Sequence, residues 1–418
     1  MLGSVKTLEV LHKRYEPFPR LVTFGDLPSG ASKWSGGVLG PDGETIFCIP
    51  SSASQVLTIN VKTRSLDMFG EFEDSRGTPL QAAGKWVGGI LAPDGKTIFS
   101  IPSTANCVLV IDTESRKIEK FGYHIIESEL CKWSGGVLGP GGTKIYGIPA
   151  NSESVLSVDI ETRTIRLFGE LPFGPLNQGK WSGGVLGVDG TTIFGVPLNS
   201  ESILVVNTTK LDRYKDPTVE RFGNFPGKNK WSGGVMGPDR VTLFCIPLCA
   251  ESVLAINTKD RTTREFGNLP GRCKWRGGVL GPDNVTIYCL PACSDSILAI
   301  DTQNYTVRTF GSGSVRGERD YPGWMWSGGI LSPNNLFIFG VPLNSNSVLV
   351  VELGEEQIER FDDEEDAEEL KRIWSSVPKD NALRIYSQTR PAAVPLAPIA
   401  PNFEHWACRV KPVHLPPL

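Results

Sequence analysis

The chain has 418 residues, of which 40% are hydrophobic and 21% are charged, and its formal net charge is −4. These values are ordinary for a soluble globular protein. The acidic balance gives no reason to expect nucleic acid as a partner, because a surface that follows phosphates needs a basic excess. No apolar run approaches twenty residues, so no transmembrane segment is predicted.

The first twenty residues lack the apolar stretch and the small-residue cleavage site of a secretory signal. Four of them are basic, which leaves an organelle leader open. Nine cysteines without a CxxC pair fit a reducing compartment. We therefore expect an intracellular, cytoplasmic protein with an N-terminal extension over residues 1–19.

A tryptophan followed closely by Gly-Gly occurs seven times, at intervals of 44 to 52 residues. Each interval holds four short β-like runs: WSGGVLG, TIFxIP, a run of branched aliphatic residues and a run ending in Phe-Gly. Four short strands separated by turn residues are typical of a propeller blade. Helical repeats are excluded because glycine and β-branched residues interrupt every segment. The sequence thus predicts an all-β, seven-bladed β-propeller over residues 20–361. The seven tryptophans are Trp34, Trp86, Trp133, Trp181, Trp231, Trp275 and Trp326.

Two segments compete for the outer strand of the seventh blade. Residues 20–25 match the fourth-strand pattern and precede the first repeat, and residues 357–361 match it after the last. One of them should complete the blade, and the other should lie beside it. The pattern does not choose between them.

Regular residues are expected to serve the fold. Glycine lets the crowded innermost strands approach one another, and each tryptophan is expected to pack as a wedge between neighbouring blades. The serine that follows most tryptophans is expected to satisfy backbone groups. Val87 and Arg276 replace it in two copies.

The Lys-Trp dipeptides and the Asn-Ser-Glu loops are predicted to open on one face of the ring. A ring of lysines there predicts binding of a small anion or a glycan at the channel mouth. The competing interpretation is that each lysine pairs with a loop carboxylate or lies along its own tryptophan. The predicted ligand-binding residues are Lys33, Lys85, Lys132, Lys180, Lys230, Lys274, Asn151, Asn199, Glu153 and Glu201.

Departures from the repeat are the better guide to a specific site. Longer inter-blade segments on the same face cover residues 71–84, 123–131 and 312–325, whereas an insertion at 210–218 should point to the opposite face. Loops on a rigid scaffold often bind partners. The predicted partner-binding residues there and in the C-terminal tail are Arg316, Arg319, Tyr321, Trp324, Trp374 and Trp406.

Two further features concern cysteines and the tail. Cys249, Cys273 and Cys293 are expected to lie near one another, but without a histidine nearby they predict no metal site. Residues 362–418 form an acidic, proline-rich tail, in which the acidic block and the bases after it predict a short helix.

The blade text GVLGPDG-TIFGIP-NSESVLVVN is similar to the layout of NHL, YVTN and gluconolactonase-type propellers. The KWSGG signature more specifically resembles a repeat of uncharacterised algal and protist proteins, and this resemblance covers residues 20–361. It implies the propeller fold and no activity. The lactonase resemblance implies a divalent metal, Ca²⁺ in the first instance, for which Glu153, Glu201, Glu251 and Asn346 would be the candidates.

Three functions follow, in order of preference. The first is a non-enzymatic protein-interaction platform that binds other proteins and uses no cofactor. The second is the binding of a small anion or glycan at the channel mouth. The third is a metal-dependent lactonase or hydrolase, which the low histidine count of four disfavours.

Overall fold

The computed structural model describes residues 19–72, 84–126, 131–172, 178–313 and 323–354. These residues form seven four-stranded antiparallel sheets and contain no α-helix; a single 3₁₀ turn spans Pro140–Gly142. The predicted all-β, seven-bladed propeller is therefore confirmed. Residues 1–18 and the predicted tail at 362–418, with its acidic helix, lie outside the described residues.

The first four complete blades follow one another along the chain. Blade 1 consists of β2 (Trp34–Leu39), β3 (Thr45–Pro50), β4 (Val56–Asn60) and β5 (Leu66–Phe69). Blade 2 consists of β6 (Trp86–Leu91), β7 (Thr97–Pro102), β8 (Val108–Asp112) and β9 (Ile118–Phe121). Blade 3 consists of β10 (Trp133–Leu138), β11 (Lys144–Pro149), β12 (Val155–Asp159) and β13 (Ile165–Phe168). Blade 4 consists of β14 (Trp181–Leu186), β15 (Thr192–Pro197), β16 (Ile203–Leu211) and β17 (Pro217–Phe222).

The remaining blades repeat the same order, and the last takes its outer strand from the other end of the chain. Blade 5 consists of β18 (Trp231–Met236), β19 (Thr242–Pro247), β20 (Val253–Asn257) and β21 (Thr263–Phe266). Blade 6 consists of β22 (Trp275–Leu280), β23 (Thr286–Pro291), β24 (Ile297–Asp301) and β25 (Thr306–Phe310). Blade 7 consists of β26 (Trp326–Leu331), β27 (Phe337–Pro342), β28 (Val348–Glu352) and β1 (Arg20–Phe24).

The N-terminal segment closes the ring. Strand β1 pairs antiparallel with β28, with Leu21 opposite Val351 and Thr23 opposite Leu349. Strand order in blade 7 is therefore β1-β28-β27-β26. This settles which segment completes the blade, because residues 20–24 occupy the outer position, while the competing segment at 357–361 lies outside the described residues.

The insertion predicted as a loop in blade 4 is instead an extended hairpin. Strand β16 continues to Leu211, which pairs with Pro217 at the start of β17. The side chain of Arg166 forms an ion pair with Asp216 at its tip. Residues 207–210 are all polar, so they show no apolar alternation that would predict a strand. The alternation is missing because this hairpin projects beyond the blade and buries little apolar surface. It does point away from the loops that join second and third strands, as predicted.

The core lies between the blades rather than within them. Trp34, for example, packs with Ile46 and Leu57 of its own blade and with Val341 and Val348 of blade 7. All seven tryptophans are 3% exposed or less. Each indole N–H donates to a backbone carbonyl 21 residues further on, at 2.7 to 3.0 Å. The predicted role of the tryptophans as wedges is confirmed.

A ring of glycines lines the axis. The first glycine of each Gly-Gly pair has a φ of about +70° to +84° and faces its counterpart in the next blade. A Cβ on Gly277 would lie 3.0 Å from the Cα of Gly328, and one on Gly328 would lie 3.8 Å from Gly36. Any larger residue would therefore push adjacent inner strands apart.

The serines form a belt of hydroxyl groups around the axis. Ser182 hydrogen-bonds to Ser232 at 3.0 Å and to Ser134 at 3.3 Å, and Ser35 hydrogen-bonds to Ser327 at 3.4 Å. The sequence pattern predicts that these hydroxyls satisfy backbone groups. They instead join neighbouring blades, because the inner strands converge closely enough for equivalent side chains to meet.

Candidate functional site

One face of the ring carries both the Lys-Trp dipeptides and the loops between second and third strands; we call it the upper face. The backbone N–H of Ser51, in the β3–β4 loop, donates to the carbonyl of Lys33 at 2.8 Å. The N–H of Lys85, at the start of blade 2, donates to the carbonyl of Ser51 at 2.8 Å. The predicted placement of the two sequence features on one face is therefore confirmed.

The six lysines of this face are buried, with exposed fractions of 2% to 5%. The ammonium groups of Lys33, Lys85, Lys180, Lys230 and Lys274 donate to backbone carbonyls in the loop of the preceding blade, as in Lys230 to Ser200 at 3.0 Å and Lys274 to Ala250 at 2.9 Å. Lys132, Lys180 and Lys274 also lie over the rings of the tryptophans that follow them, at 5.9 to 6.0 Å. In this structure the lysines join each blade to the loop before it.

Burial has an electrostatic consequence for these lysines. Desolvation lowers the pKa of Lys85, Lys180 and Lys230 to about 8. The carboxylates of Glu153 and Glu201 act in the opposite direction on the pKa of Lys180 and Lys230. The lysines and glutamates predicted to bind a ligand thus interact with one another, and binding of an anion or glycan by them stays a prediction.

The two asparagines predicted to bind a ligand cap backbone groups between blades. The Oδ1 of Asn151 accepts from the N–H of Gly179 at 2.7 Å, and the Oδ1 of Asn199 accepts from the N–H of Asn229 at 2.6 Å. The same contact joins Asn344 to the N–H of Ser32 at 2.6 Å. These contacts fix the start of each following blade. Ligand binding by the asparagines stays untested.

The main break in this symmetry is Arg276, which occupies a serine position of the axial belt. Its guanidinium lies 4.8 Å from the ring centre of Trp324, just before blade 7. Desolvation lowers its pKa to about 10, and Cys131 acts in the opposite direction. Cys131 precedes blade 3, across the ring from blade 6. Because Arg276 takes the position of an axial serine, we place its side chain at the channel mouth. Both side chains are partly exposed.

In the sequence, Arg276 stands out only as an exception to the serine pattern. That exception is itself a signal of a different role, because an arginine side chain is too large for a position where a serine bridges two blades. What the repeat could not show was the direction of the long side chain. Of the predicted partner-binding residues, Trp324 lies at this mouth, and the others, Arg316, Arg319, Tyr321, Trp374 and Trp406, lie outside the described residues.

Three cysteines meet on the upper face beside this pair, as expected from the sequence. The Sγ atoms of Cys249 and Cys273 are 3.8 Å apart. The thiol of Cys273 also interacts with the side chains of Cys293 and Trp324. Within the described ranges no group of three His, Cys, Asp or Glu side chains has the geometry of a metal site. No helix there is long and apolar enough to cross a membrane.

No protein-family model and no curated protein matches the chain. Solved structures do match, and they are β-propellers by the fold they share with this chain. A streptogramin B lyase superposes with a TM-score of 0.62 at 14% identity, covering 80% of this chain and 97% of that one. Catalytically inactive virginiamycin B lyase from Staphylococcus aureus, with quinupristin, gives 0.61 at 14% identity, covering 80% and 99%.

A third similar structure is the hydrazine synthase of Kuenenia stuttgartiensis, with a TM-score of 0.53 at 16% identity, covering 78% of this chain and 97% of that one. At such identities the likeness shows the fold alone. The class of protein is therefore a seven-bladed β-propeller with four-stranded blades. The finer resemblance to KWSGG-repeat proteins stays a prediction.

Proposed function

We propose that the protein is a non-enzymatic interaction platform that binds a protein partner through its upper face, with Arg276 and Trp324 as the central contact. The observation that supports this is the pair itself. Arg276 is partly exposed as a residue, its guanidinium stays charged at neutral pH although burial lowers its pKa, and none of the ion pairs among described residues includes it. Arginine and tryptophan dominate the binding energy of protein interfaces.

The surroundings of the pair fit this proposal. Tyr123 and Ile125, which follow blade 2 on the upper face, are each 45% exposed. Most turns on the opposite face repeat one arrangement: Asp239, for example, accepts from the N–H groups of Val241 and Thr242. Apart from the blade 4 hairpin, the opposite face is therefore more regular than the upper face, and irregular features are what a partner needs to distinguish one blade from the others.

Catalysis finds less support in the described residues. The histidine among them is His124, which lies on an inter-blade segment. Glu153, Glu201 and Glu251 lie one to a loop in successive blades, and each acts on the lysine of the next blade. A carboxylate that partners a buried lysine is poorly placed to hold a cation as well. The lyase activity in the names of the similar structures is therefore not part of our proposal.

Binding of a small anion at the channel mouth is the second candidate, and Arg276 favours it too. A carboxylate or phosphate oxygen above the mouth would meet the guanidinium in a partly desolvated setting, where a charge-assisted hydrogen bond is strong. The two candidates share one residue and differ in the size of the ligand. They can be separated with the same variants.

The experiment compares three variants of the full chain. Arg276→Ser restores the residue found at this position in five blades, and Trp324→Ser removes the ring. Arg213→Ser is the matched control, because Arg213 lies 4.6 Å from the ring centre of Tyr214 on the blade 4 hairpin. Affinity purification from the native cell with quantitative mass spectrometry should show partners lost with the first two variants and retained with the third.

A partner set that is the same for all three variants would contradict the platform proposal. Calorimetry with inorganic phosphate and with a dicarboxylate then tests the second candidate. Heat that is lost in Arg276→Ser supports a small anion, and no heat for the wild type excludes these ligands. Deleting residues 362–418 tests whether the tail, with Trp374 and Trp406, takes part in binding.

A further inference from the structure

Three partly exposed thiols lie together where blade 5 meets blade 6. Cys249 belongs to the β19–β20 loop, Cys273 immediately precedes Lys274, and Cys293 belongs to the β23–β24 loop. The Sγ atoms of Cys249 and Cys273 are 3.8 Å apart, and the backbone N–H of Cys273 points at the Sγ of Cys249 at 3.2 Å. Cys273 is central, because its thiol interacts with both of the others.

The equivalent positions in other blades show what the cysteines replace. At three other interfaces an asparagine Oδ1 caps the corresponding N–H at 2.6 to 2.7 Å. Cys249 substitutes a thiol, which is a weak acceptor, for that amide. Cys273 in turn replaces Ser32, Gly179 or Asn229. The hydrogen bond to sulfur is longer, at 3.2 Å, than the bonds to the asparagines, so we look to the chemistry of sulfur to account for the pair.

These thiols also differ from the structural cysteines of the same protein. Cys48, Cys245 and Cys289 are completely buried within second strands, where burial raises the thiol pKa and sulfur acts as a small apolar group. The three cysteines of the upper face are partly exposed and are thiols rather than disulfides. They are therefore accessible to small reagents and adjacent to one another.

We propose that Cys249 and Cys273 are a reversible disulfide site, formed by exchange with a low-molecular-weight disulfide, and that Cys293 is the alternative partner of Cys273. The Cys273 thiolate attacks one sulfur of a reagent such as oxidised glutathione, and the reagent S–S bond breaks. One reduced thiol leaves with a proton. The Cys249 thiolate then attacks Cys273, forms the protein disulfide and releases the second reduced thiol. Two electrons pass from the protein to the reagent.

The local charges support this order of attack. The hydrogen bond from Cys249 lowers the pKa of Cys273, although Cys293 and burial raise it by more. That same hydrogen bond and burial raise the pKa of Cys249, against the nearby Lys274 ammonium. Cys273 is thus the easier of the pair to ionise. Because both values are raised, the exchange is slow at neutral pH and accelerates as pH rises.

Formation of the Cys249–Cys273 disulfide needs only a small movement, since the two sulfur atoms must approach from 3.8 Å to about 2.05 Å. The bond would join the β19–β20 loop covalently to the start of blade 6. Cys273 also contacts Trp324, which stacks on Arg276. The disulfide would therefore form beside the channel mouth, but the proposal does not depend on what that mouth binds.

The test uses the full-length wild-type protein, incubated with excess oxidised glutathione at pH 7 and pH 9, alkylated and digested with trypsin. Cleavage separates the three cysteines into the peptides 241–259, 273–274 and 277–308. The expected product links 241–259 to 273–274, and fragmentation places the bond at Cys249 rather than Cys245. It should form faster at pH 9 and disappear when reduced glutathione is added.

Three variants make the outcome specific. Cys273→Ser should abolish the link, and it should fold because Ser32 occupies the same position with the same positive φ, +54°. Cys249→Ser should redirect Cys273 to the peptide 277–308. Cys131→Ser is the matched control, since Cys131 occupies the position of Cys273 in blade 3 at φ +51°, and it should leave the link unchanged. Absence of the link in folded wild type at pH 9, or its persistence in Cys273→Ser, would overturn the proposal.

Discussion

Replacing Lys85 with methionine should make the stability difference between variant and wild type depend on pH. The Lys85 side chain is 2% exposed, and its ammonium donates to the carbonyl of Ala53 at 2.9 Å. Desolvation lowers its pKa from 10.5 to about 8. Methionine has a similar length, carries no charge and leaves that carbonyl without its donor.

The sign follows from which state holds the proton. Below pH 8 the lysine is charged in the folded and the unfolded protein, so wild type bears the full cost of desolvation. Between pH 8 and 10.5 the folded protein has lost the proton and the unfolded protein still holds it, so the free energy of unfolding rises with pH. A shift from 10.5 to about 8 corresponds to about 3–4 kcal/mol, at about 1.4 kcal/mol per pH unit.

The assay is urea unfolding of both proteins at several pH values from 7 to 10.5. Taking the difference between them removes the contributions of other groups, including the buried cysteines. Lys259→Met, at an exposed lysine, controls for the loss of one charge. Parallel pH curves for wild type and Lys85→Met would refute the reasoning, since they would mean that the ammonium is solvated, as a ligand-binding ring of lysines would require.

Three further predictions concern the axis, the thiol pair and the turns of the opposite face. Gly277→Ala should lower the free energy of unfolding, measured in urea, by about 2–4 kcal/mol. The control is Gly190→Ala, at φ +66° with no atom within 4 Å of an added Cβ, which should lower it by about 1–2 kcal/mol. Equal losses would contradict the close approach of the inner strands at the axis. Cys249→Asn should stabilise the protein by about 0.5–1.5 kcal/mol by restoring the amide acceptor, and a loss would show that sulfur fits this loop better. Asp239→Ala should cost about 1–3 kcal/mol at pH 7. Burial raises the pKa of Asp239, but hydrogen bonds from Thr242 and Val241 lower it by more. The loss should therefore shrink as pH falls through that lowered pKa, and a loss as large in strong acid as at pH 7 would be inconsistent with the reasoning.

The sequence repeat by itself determines the architecture. Seven Trp-x-Gly-Gly copies, each with four strand-like runs and proline at the end of the second, can bury their apolar sides only against one another. Blade number, strand order and the shared face of the Lys-Trp dipeptides all follow from that local pattern. The number of interfaces between blades equals the number of tryptophans, because each tryptophan side chain packs between two neighbouring blades.

Only the tertiary structure decided what depends on contacts between distant residues. It placed β1 against β28, although two segments had the same pattern, because pairing is set by which strand end reaches the seventh blade. It buried six lysines, five of which donate to backbone carbonyls, and it brought Arg276 to Trp324 and Cys249 to Cys273. A sequence repeat shows which positions are equivalent. The side-chain neighbours at the exceptions depend on the curvature of the closed ring, and no single blade encodes that curvature.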